Sequence, residues 1–217
     1  MTGDAQGKPF KFVAGALCLD FVNSVGGRLR PPAGRRRNGG AILREKLLGY
    51  EELLLWSRLS GAVTEREAAA LARMARQRGS AARAVFARAF RLREAIYHIF
   101  AAVLDGRSPQ KADLATLNRE LAIARGRERL HFVEKQWVWR WDGKETALER
   151  PLWPVAQSAA ALLASPALGR VRECPGERCG WLFLDKSKNR SRQWCAMRDC
   201  GNLAKVRRFR ARRAVGG

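Results

Sequence analysis

The sequence predicts a mainly α-helical protein: a multihelical N-terminal domain with a small β-hairpin, followed by a small treble-clef-like module built on four cysteines. Three observations support this prediction. Apolar residues recur at helical spacing through most of residues 43–125. Alternating apolar residues typical of paired strands occur around residues 130–141. Four of the five cysteines lie near the C-terminal end, so we place the domains at residues 1–170 and 171–217.

The first apolar segment, residues 10–25, is predicted to be a strand followed by one or two helical turns in the core. Asp20 and Asn23 have apolar neighbours there, so each either bonds to local backbone, which we favour, or faces a pocket. Together with Arg28 they are our candidates for a small-ligand site. Cys18 has no cysteine nearby in sequence, and we interpret it as a buried, inert thiol.

The next segment, residues 26–40, is rich in glycine, proline and arginine and has hardly an apolar side chain. Such a segment does not pack as a helix or strand, so we expect an exposed basic loop. Two interpretations stay open. The loop is either a solvated connection, or residues 28–37 form a second patch that contacts phosphate groups.

The helical periodicity then predicts four helices, over residues 43–59, 64–77, 80–104 and 108–125. Thr64 and Glu67 have the spacing of a capping box, which marks the start of the second helix. Gly79 is the expected stop of that helix. In the third helix we interpret the arginines as a solvated face opposite a broad apolar stripe. These are Arg83, Arg88, Arg91 and Arg93.

The pattern changes to strands near residue 130. Residues 130–133 and 137–141 are predicted to pair as a hairpin, with Trp137, Trp139 and Trp141 on one face because side chains alternate along a strand. Three indoles on one face usually cover a core, and this is the favoured interpretation; stacking on a ligand is the alternative. A short helix over residues 155–164 follows.

The four C-terminal cysteines form two C-x4-C pairs, Cys174/Cys179 and Cys195/Cys200, separated by fifteen residues. The sequence shows neither a secretory start nor a long apolar run, so we expect a reduced, cytoplasmic protein without a membrane partner. In that compartment clustered cysteines are typically metal ligands, and four thiolates suit one structural Zn²⁺. A closed sulfur shell has no position for substrate, and no nucleophile–base spacing occurs elsewhere. We therefore predict that the protein is not an enzyme.

The charge of the chain points to a polyanionic partner. The net charge is +22 and the sequence pI is about 11.3, which leaves DNA, RNA and anionic membrane open at the level of charge alone. A helix over residues 202–213 is predicted to face phosphate, with Val206 and Phe209 packed inward. A solvated helix is the alternative, but such helices usually mix charge signs. The nucleic-acid candidates are Lys186, Lys188, Arg190, Arg192, Lys205, Arg207, Arg208, Arg210 and Arg212.

The stretch CGWLFLDKSKNRSRQWC…CGNLAKVRRFRARR, residues 179–213, resembles the CGNR zinc-finger family of bacteria. Leu203 stands where the motif has arginine. Upstream, LCLDFVNS at residues 17–24 resembles the ABATE domain that precedes this finger. The resemblance implies a stress-responsive transcription regulator whose finger binds DNA and whose N-terminal domain senses a small ligand. An RNA- or ribosome-associated zinc protein is the alternative, and a homo-oligomer is left open.

Overall fold

The computed structural model describes residues 9–29, 40–143 and 146–215. Within these residues it is mainly helical, with two antiparallel strand pairs, which confirms the predicted fold class. Residues 30–39 of the predicted basic loop lie outside the described residues. In chain order the elements are α1 (Leu17–Val22), α2 (Tyr50–Leu59), α3 (Glu65–Gln77), α4 (Gly79–Leu104), α5 (Lys111–Gly126), β1 (Glu128–Val133), β2 (Gln136–Trp141), α6 (Trp153–Leu163), β3 (Val171–Glu173), β4 (Leu182–Leu184) and α7 (Asn202–Val215).

One apolar core joins the helices to the cysteine-containing segment. Phe21 of α1, Trp56 of α2 and Phe100 of α4 are fully buried in it. The same cluster continues into Phe183 of β4 and includes Cys174. Because packing is continuous across residue 170, the two parts of the chain share a core, and the domain boundary there stays a prediction.

Helix α3 begins as its sequence indicates. The Thr64 hydroxyl accepts a hydrogen bond from the Glu67 backbone N–H at 3.2 Å, and the Glu67 carboxylate accepts one from the Thr64 N–H at 2.7 Å. This reciprocal capping box is confirmed, and such caps stabilise a helix by about 1 kcal/mol. Gly79, in contrast, is the first residue of α4 and does not end α3, so that detail was wrong.

The predicted helix over residues 43–59 starts only at Tyr50. The preceding chain is extended and forms isolated antiparallel bridges with the N-terminal segment, Glu45 with Val25 and Ile42 with Arg28. Gly49 has an extended backbone and is the N-cap of α2. The leucines before it have helical spacing in the sequence, but pairing with a distant segment overrides that local preference.

Two arginines that were expected at the surface are buried. Arg93 donates to Glu45 at 2.6 and 2.7 Å and to Glu94 at 2.9 Å. Arg28 donates to Glu94 at 2.8 and 2.9 Å, and its guanidinium lies 3.9 Å from the centre of the Tyr97 ring. Burial disfavours the charged carboxylates, but the arginine hydrogen bonds outweigh it and lower the pKa of both glutamates. The prediction of a solvated arginine face was therefore wrong at Arg93.

The β1–β2 hairpin pairs in the register Phe132 with Trp137 and Leu130 with Trp139. Its two-residue turn, Glu134-Lys135, has φ values of 50° and 64°, which is the left-handed backbone of a type I′ hairpin turn.

The three indoles on this hairpin have different environments. Trp141, at the base, packs 6.1 Å from the Trp153 ring. Trp137 and Trp139 are exposed, so the prediction that they cover a core was wrong. The reason is geometric, since the base of the ribbon contacts the helical body and the outer half extends away from it.

Candidate metal centre and basic surface

The four C-terminal cysteine side chains converge on one point. Their Sγ atoms all lie within 4.8 Å of one another. The Cys179–Cys195 sulfur distance is 3.5 Å and the Cys195–Cys200 distance is 3.7 Å. Zinc–sulfur bonds of about 2.3 Å in a tetrahedron place sulfurs roughly 3.8 Å apart. The donor set and its spacing therefore fit one four-coordinate Zn²⁺.

Backbone hydrogen bonds position the first cysteine pair. Cys174 follows β3, and its N–H donates to the Trp181 carbonyl at 2.8 Å; the Cys179 N–H donates to the Gly176 carbonyl at 3.0 Å. A Cβ on Gly176 would lie 3.1 Å from the Cys179 Cβ and 3.3 Å from the Cys200 Sγ. A larger residue there would require the neighbouring cysteine side chains to shift by a few tenths of an ångström.

The second pair is held by a loop and a helical turn. Cys195 follows the polar loop of residues 185–192. Cys200 lies in a π-helical turn, Met197–Gly201, which leads directly into α7. Cys200 therefore lies in the turn that precedes the terminal helix. The fourth cysteine of the cluster is thus held at the base of α7.

Without a cation the four thiols cannot all ionise. Hydrogen bonds from Cys179 and the other two thiols lower the pKa of Cys174, whereas hydrogen bonding with Cys174 raises the pKa of Cys179. A divalent cation would favour the thiolate at every position. Cys18 is different: it is fully buried away from the cluster, and burial raises its pKa to about 12. The predicted burial of Cys18 is confirmed, and its inertness stays a prediction.

Arg192 has a structural role that the sequence analysis missed. Its guanidinium donates to the carbonyls of Val13 at 2.7 Å and Trp194 at 3.1 Å, and also to that of Cys195. It lies 4.5 Å from the centre of the Phe183 ring. Because these contacts hold the Arg192 side chain within the fold, we leave Arg192 out of the proposed phosphate surface.

The loop before Cys195 is organised by one buried carboxylate. Asp185 accepts hydrogen bonds from the Ser187 hydroxyl at 2.6 Å, the Ser187 N–H at 2.9 Å and the Arg192 N–H at 3.1 Å. The hydrogen bonds from Ser187 lower the pKa of Asp185. The sequence signal for this turn was Asp followed two residues later by Ser, a common aspartate-turn pattern.

The N-terminal segment fastens the finger to the body. The Asn23 amide donates to the Leu182 carbonyl at 2.7 Å and accepts from the Leu182 N–H at 3.0 Å. The Trp181 indole donates to the Val25 carbonyl at 3.2 Å. The Arg28 N–H donates to the Cys179 carbonyl at 2.9 Å, so one residue joins the buried ion pairs to the cysteine turn.

The three candidates for a ligand site are engaged inside the fold. Asp20 accepts from the Ala14 N–H at 2.9 Å, and burial raises its pKa to about 6. Asn23 and Arg28 make the contacts given above. An open groove of about 790 Å³ lies between α2 and α3, but it is not lined by these residues. Their role in ligand binding stays a prediction.

The nucleic-acid candidates are mostly at the surface. Every side chain from Lys205 to Arg213 is exposed. Arg207 forms an ion pair with the exposed Glu177 at 2.8 Å. Val206 and Phe209 are also exposed, so the prediction that they pack inward was wrong. The other exposed candidates are Lys186, Lys188, Arg190, Lys205, Arg208, Arg210 and Arg212.

Comparison with protein families agrees with this architecture. A family model for ABATE, described as "putative stress-induced transcription regulator", matches residues 15–166. The chain belongs to the ABATE family. A second model, the CGNR zinc finger, matches residues 170–213, and its four clustered cysteines are consistent with one structural Zn²⁺. Both predicted resemblances are thus confirmed.

The two matched families of this ABATE protein are of the regulator and zinc-finger type, and neither is an enzyme family. No curated protein matches the chain significantly. Among the described helices, none has the length and apolar character needed to cross a membrane.

Proposed function

We propose that this ABATE-family protein is a DNA-binding transcription regulator in which the CGNR finger presents α7 to the phosphate backbone. The observation that carries the proposal is that α7 is exposed and that its charged residues are all positive. Residues 202–213 contain six basic residues and no acidic one, and all side chains from Lys205 to Arg213 are exposed. Clustered exposed cations of this kind bind nucleic acid by displacing its counterions.

The face of α7 most suited to phosphate contains Lys205, Arg208 and Arg212. These residues are three and four positions apart, so they project from one side of the helix. The helix rises about 1.5 Å per residue, which spreads the three cations over roughly 10 Å. Lys186, Lys188 and Arg190, in the loop before Cys195, supply further exposed cations on the same finger.

The metal's part in this proposal is structural. The thiolates of the four cysteines would hold Zn²⁺, and the ion would fix the cysteine turn against the base of α7. Cys200 lies two residues before the first residue of α7, so the direction of α7 relative to the body depends on the sulfur cluster. We expect chelation of the metal to abolish DNA binding.

The test of this function is a competition measurement. A fluorescent duplex DNA of mixed sequence is bound to the zinc-loaded protein at fixed salt and displaced with unlabelled duplex DNA or structured RNA. We expect duplex DNA to displace the probe at lower concentration, because the proposed contact is to a regular double helix. Preferential displacement by RNA would support the RNA-associated alternative.

The sensing role is proposed on the joint between body and finger, in a family described as stress-induced regulators. Asn23 and Arg28 connect the N-terminal segment directly to the finger backbone, so a ligand that shifts this segment would alter the finger. A thermal-shift screen of the full chain against metabolites tests this role, because a ligand that binds only the folded state raises the midpoint. Absence of any shift would count against sensing.

A further inference from the structure

The outer half of the β1–β2 hairpin has an exposed apolar face. The exposed fractions are 67% for Trp137, 67% for Trp139, 61% for Phe132 and 49% for Leu130. Phe132 and Trp137 pair across the strands with ring centres 5.0 Å apart, and Leu130 pairs with Trp139. Four large apolar side chains in one contiguous patch mark an interaction surface.

The net charge of this hairpin differs from that of the whole protein. Residues 128–142 contain three basic and three acidic residues, whereas the whole chain has a net charge of +22. Nucleic acid and anionic membranes are attracted by clustered cations, and the hairpin has no excess of them. A second copy of the chain is repelled by a strongly positive surface, so it approaches most easily where the surface is neutral.

We propose that this hairpin is the interface of a homodimer, with the aromatic faces of two copies packed together about a twofold axis. Such an interface is self-complementary, because each contact occurs twice. The aromatic face would supply its dry centre, which is where tryptophan contributes most to binding.

The charges at the two ends of the hairpin define how the copies are oriented. Glu128 lies at the base, on the aromatic face opposite Trp141, and Lys135 lies in the exposed turn at the tip. The strands are about 17 Å long, so an antiparallel arrangement places the base of one hairpin beside the tip of the other. Glu128 of each copy then meets Lys135 of its partner.

The first test measures the mass of the full zinc-loaded chain by sedimentation at several concentrations, in about 0.3 M salt to screen like-charge repulsion. We expect a dimer for the natural sequence and a monomer for the double variant W137S/W139S, with the dissociation constant of the dimer raised at least tenfold. The matched control is L48S, which changes an exposed apolar residue on the body and should stay dimeric. Far-UV circular dichroism and zinc content should be the same in all three proteins.

The second test exploits the twofold symmetry. The variants K135E and E128K should each weaken the dimer, because like charges then meet at both ends. An equimolar mixture of the two variants should restore association as a heterodimer, since both ends again pair glutamate with lysine. This rescue would not occur if the substitutions merely disturbed the hairpin.

Three outcomes would overturn the proposal: a monomeric natural protein at every concentration, a W137S/W139S variant that remains dimeric, or no rescue in the mixture. Quenching of tryptophan fluorescence by single-stranded oligonucleotide in a monomeric protein would instead assign the aromatic face to nucleobases. Duplex DNA binding by a W137S/W139S monomer would show that the function proposed for α7 stands apart from this interface.

Discussion

Arginine has opposite roles in the helical body and in the terminal helix. In the body, Arg28 and Arg93 are buried against Glu45 and Glu94. Arg150 is likewise buried, 3.1 Å from a Glu67 oxygen. In α7 the arginines are exposed, and the helix has no acidic residue from 202 to 213. Total charge therefore does not show where a binding surface lies. Exposed cations that have no carboxylate on the same helix are the better indication.

The two regions also differ in what holds them together. The body has a large apolar core that includes Phe21, Trp56 and Phe100. The finger has two three-residue strands, a few buried apolar residues and four converging thiols. We therefore expect the body to fold without metal and the finger to require it. The substitutions below test this difference, from the largest expected effect to the smallest.

The largest effect is expected from the double variant C179S/C195S. Loss of two ligands should abolish stoichiometric zinc binding and unfold residues 171–215, while the body retains a cooperative thermal transition. Structural zinc contributes about 10–16 kcal/mol in comparable small modules, so little of the finger should persist. Zinc content and hydrogen exchange measure the two effects. The control C18S, which changes the cysteine outside the cluster, should retain one zinc per chain; equal zinc in both variants would refute the site.

Arg93→Met should strongly destabilise the body. It leaves Glu45 and Glu94 with fewer compensating contacts in a buried site, and breaking such pairs costs about 3–5 kcal/mol. The free energy of unfolding in urea measures the loss. Arg91→Met removes the same charge from an exposed position on the same helix and should change stability by less than about 0.5 kcal/mol. Similar small losses in both variants would show that the buried pairs are unimportant.

The buried glutamates also give a pH dependence with a definite sign. Their folded-state pKa values lie below the ordinary 4.5, so their stabilising contribution is complete above pH 4.5 and is lost as pH falls through the lowered values. Asp20 has a raised pKa of about 6, so its contribution to stability has the opposite pH dependence. That contribution is complete below about pH 3.8 and is lost as pH rises through about 6. Urea unfolding of natural and R93M protein at several pH values isolates the glutamates. The difference in unfolding free energy between the natural protein and R93M should shrink below pH 4.5. A difference that stays constant with pH would contradict this account.

A smaller effect is expected at the joint between the regions. Asn23→Ala removes both hydrogen bonds to Leu182 and leaves buried backbone groups unpaired, which costs about 1–3 kcal/mol. Hydrogen exchange should accelerate in β4 more than in α4. Asn202→Ala, which changes an exposed asparagine at the start of α7, should leave exchange in β4 unchanged. If hydrogen exchange in the Asn23→Ala variant accelerated equally in helices and strands, the two hydrogen bonds would not act locally on the finger.

Much of this architecture could be predicted from local sequence. The capping box at Thr64, the helical periodicity and the cysteine spacing each concern residues close together in the chain, and each was confirmed except for the periodicity of residues 43–49. The burial of Arg93 could not be predicted, because its carboxylate partner Glu45 is 48 residues away. Local pattern gives the character of a face, but it does not show what packs against it.

The same limit explains the errors at exposed apolar residues. Trp137, Trp139, Val206 and Phe209 were expected to be covered because large apolar side chains usually are. The outer hairpin and α7 both extend from the body, and no local pattern indicates how far an element protrudes. These exposed residues now point to partners outside the chain.

The salt dependence of duplex DNA affinity tests the central claim most directly, that the unmatched cations of α7 are the binding surface. It is measured for the natural protein, for K205A/R208A/R212A, and for R73A/R76A/R83A, which removes three exposed cations from the body. We expect the slope of log affinity against log salt to become shallower by about 2.7 in the α7 variant and to stay unchanged in the body variant. Equal slopes in all three proteins would contradict the claim. So would a slope that becomes shallower only in the body variant.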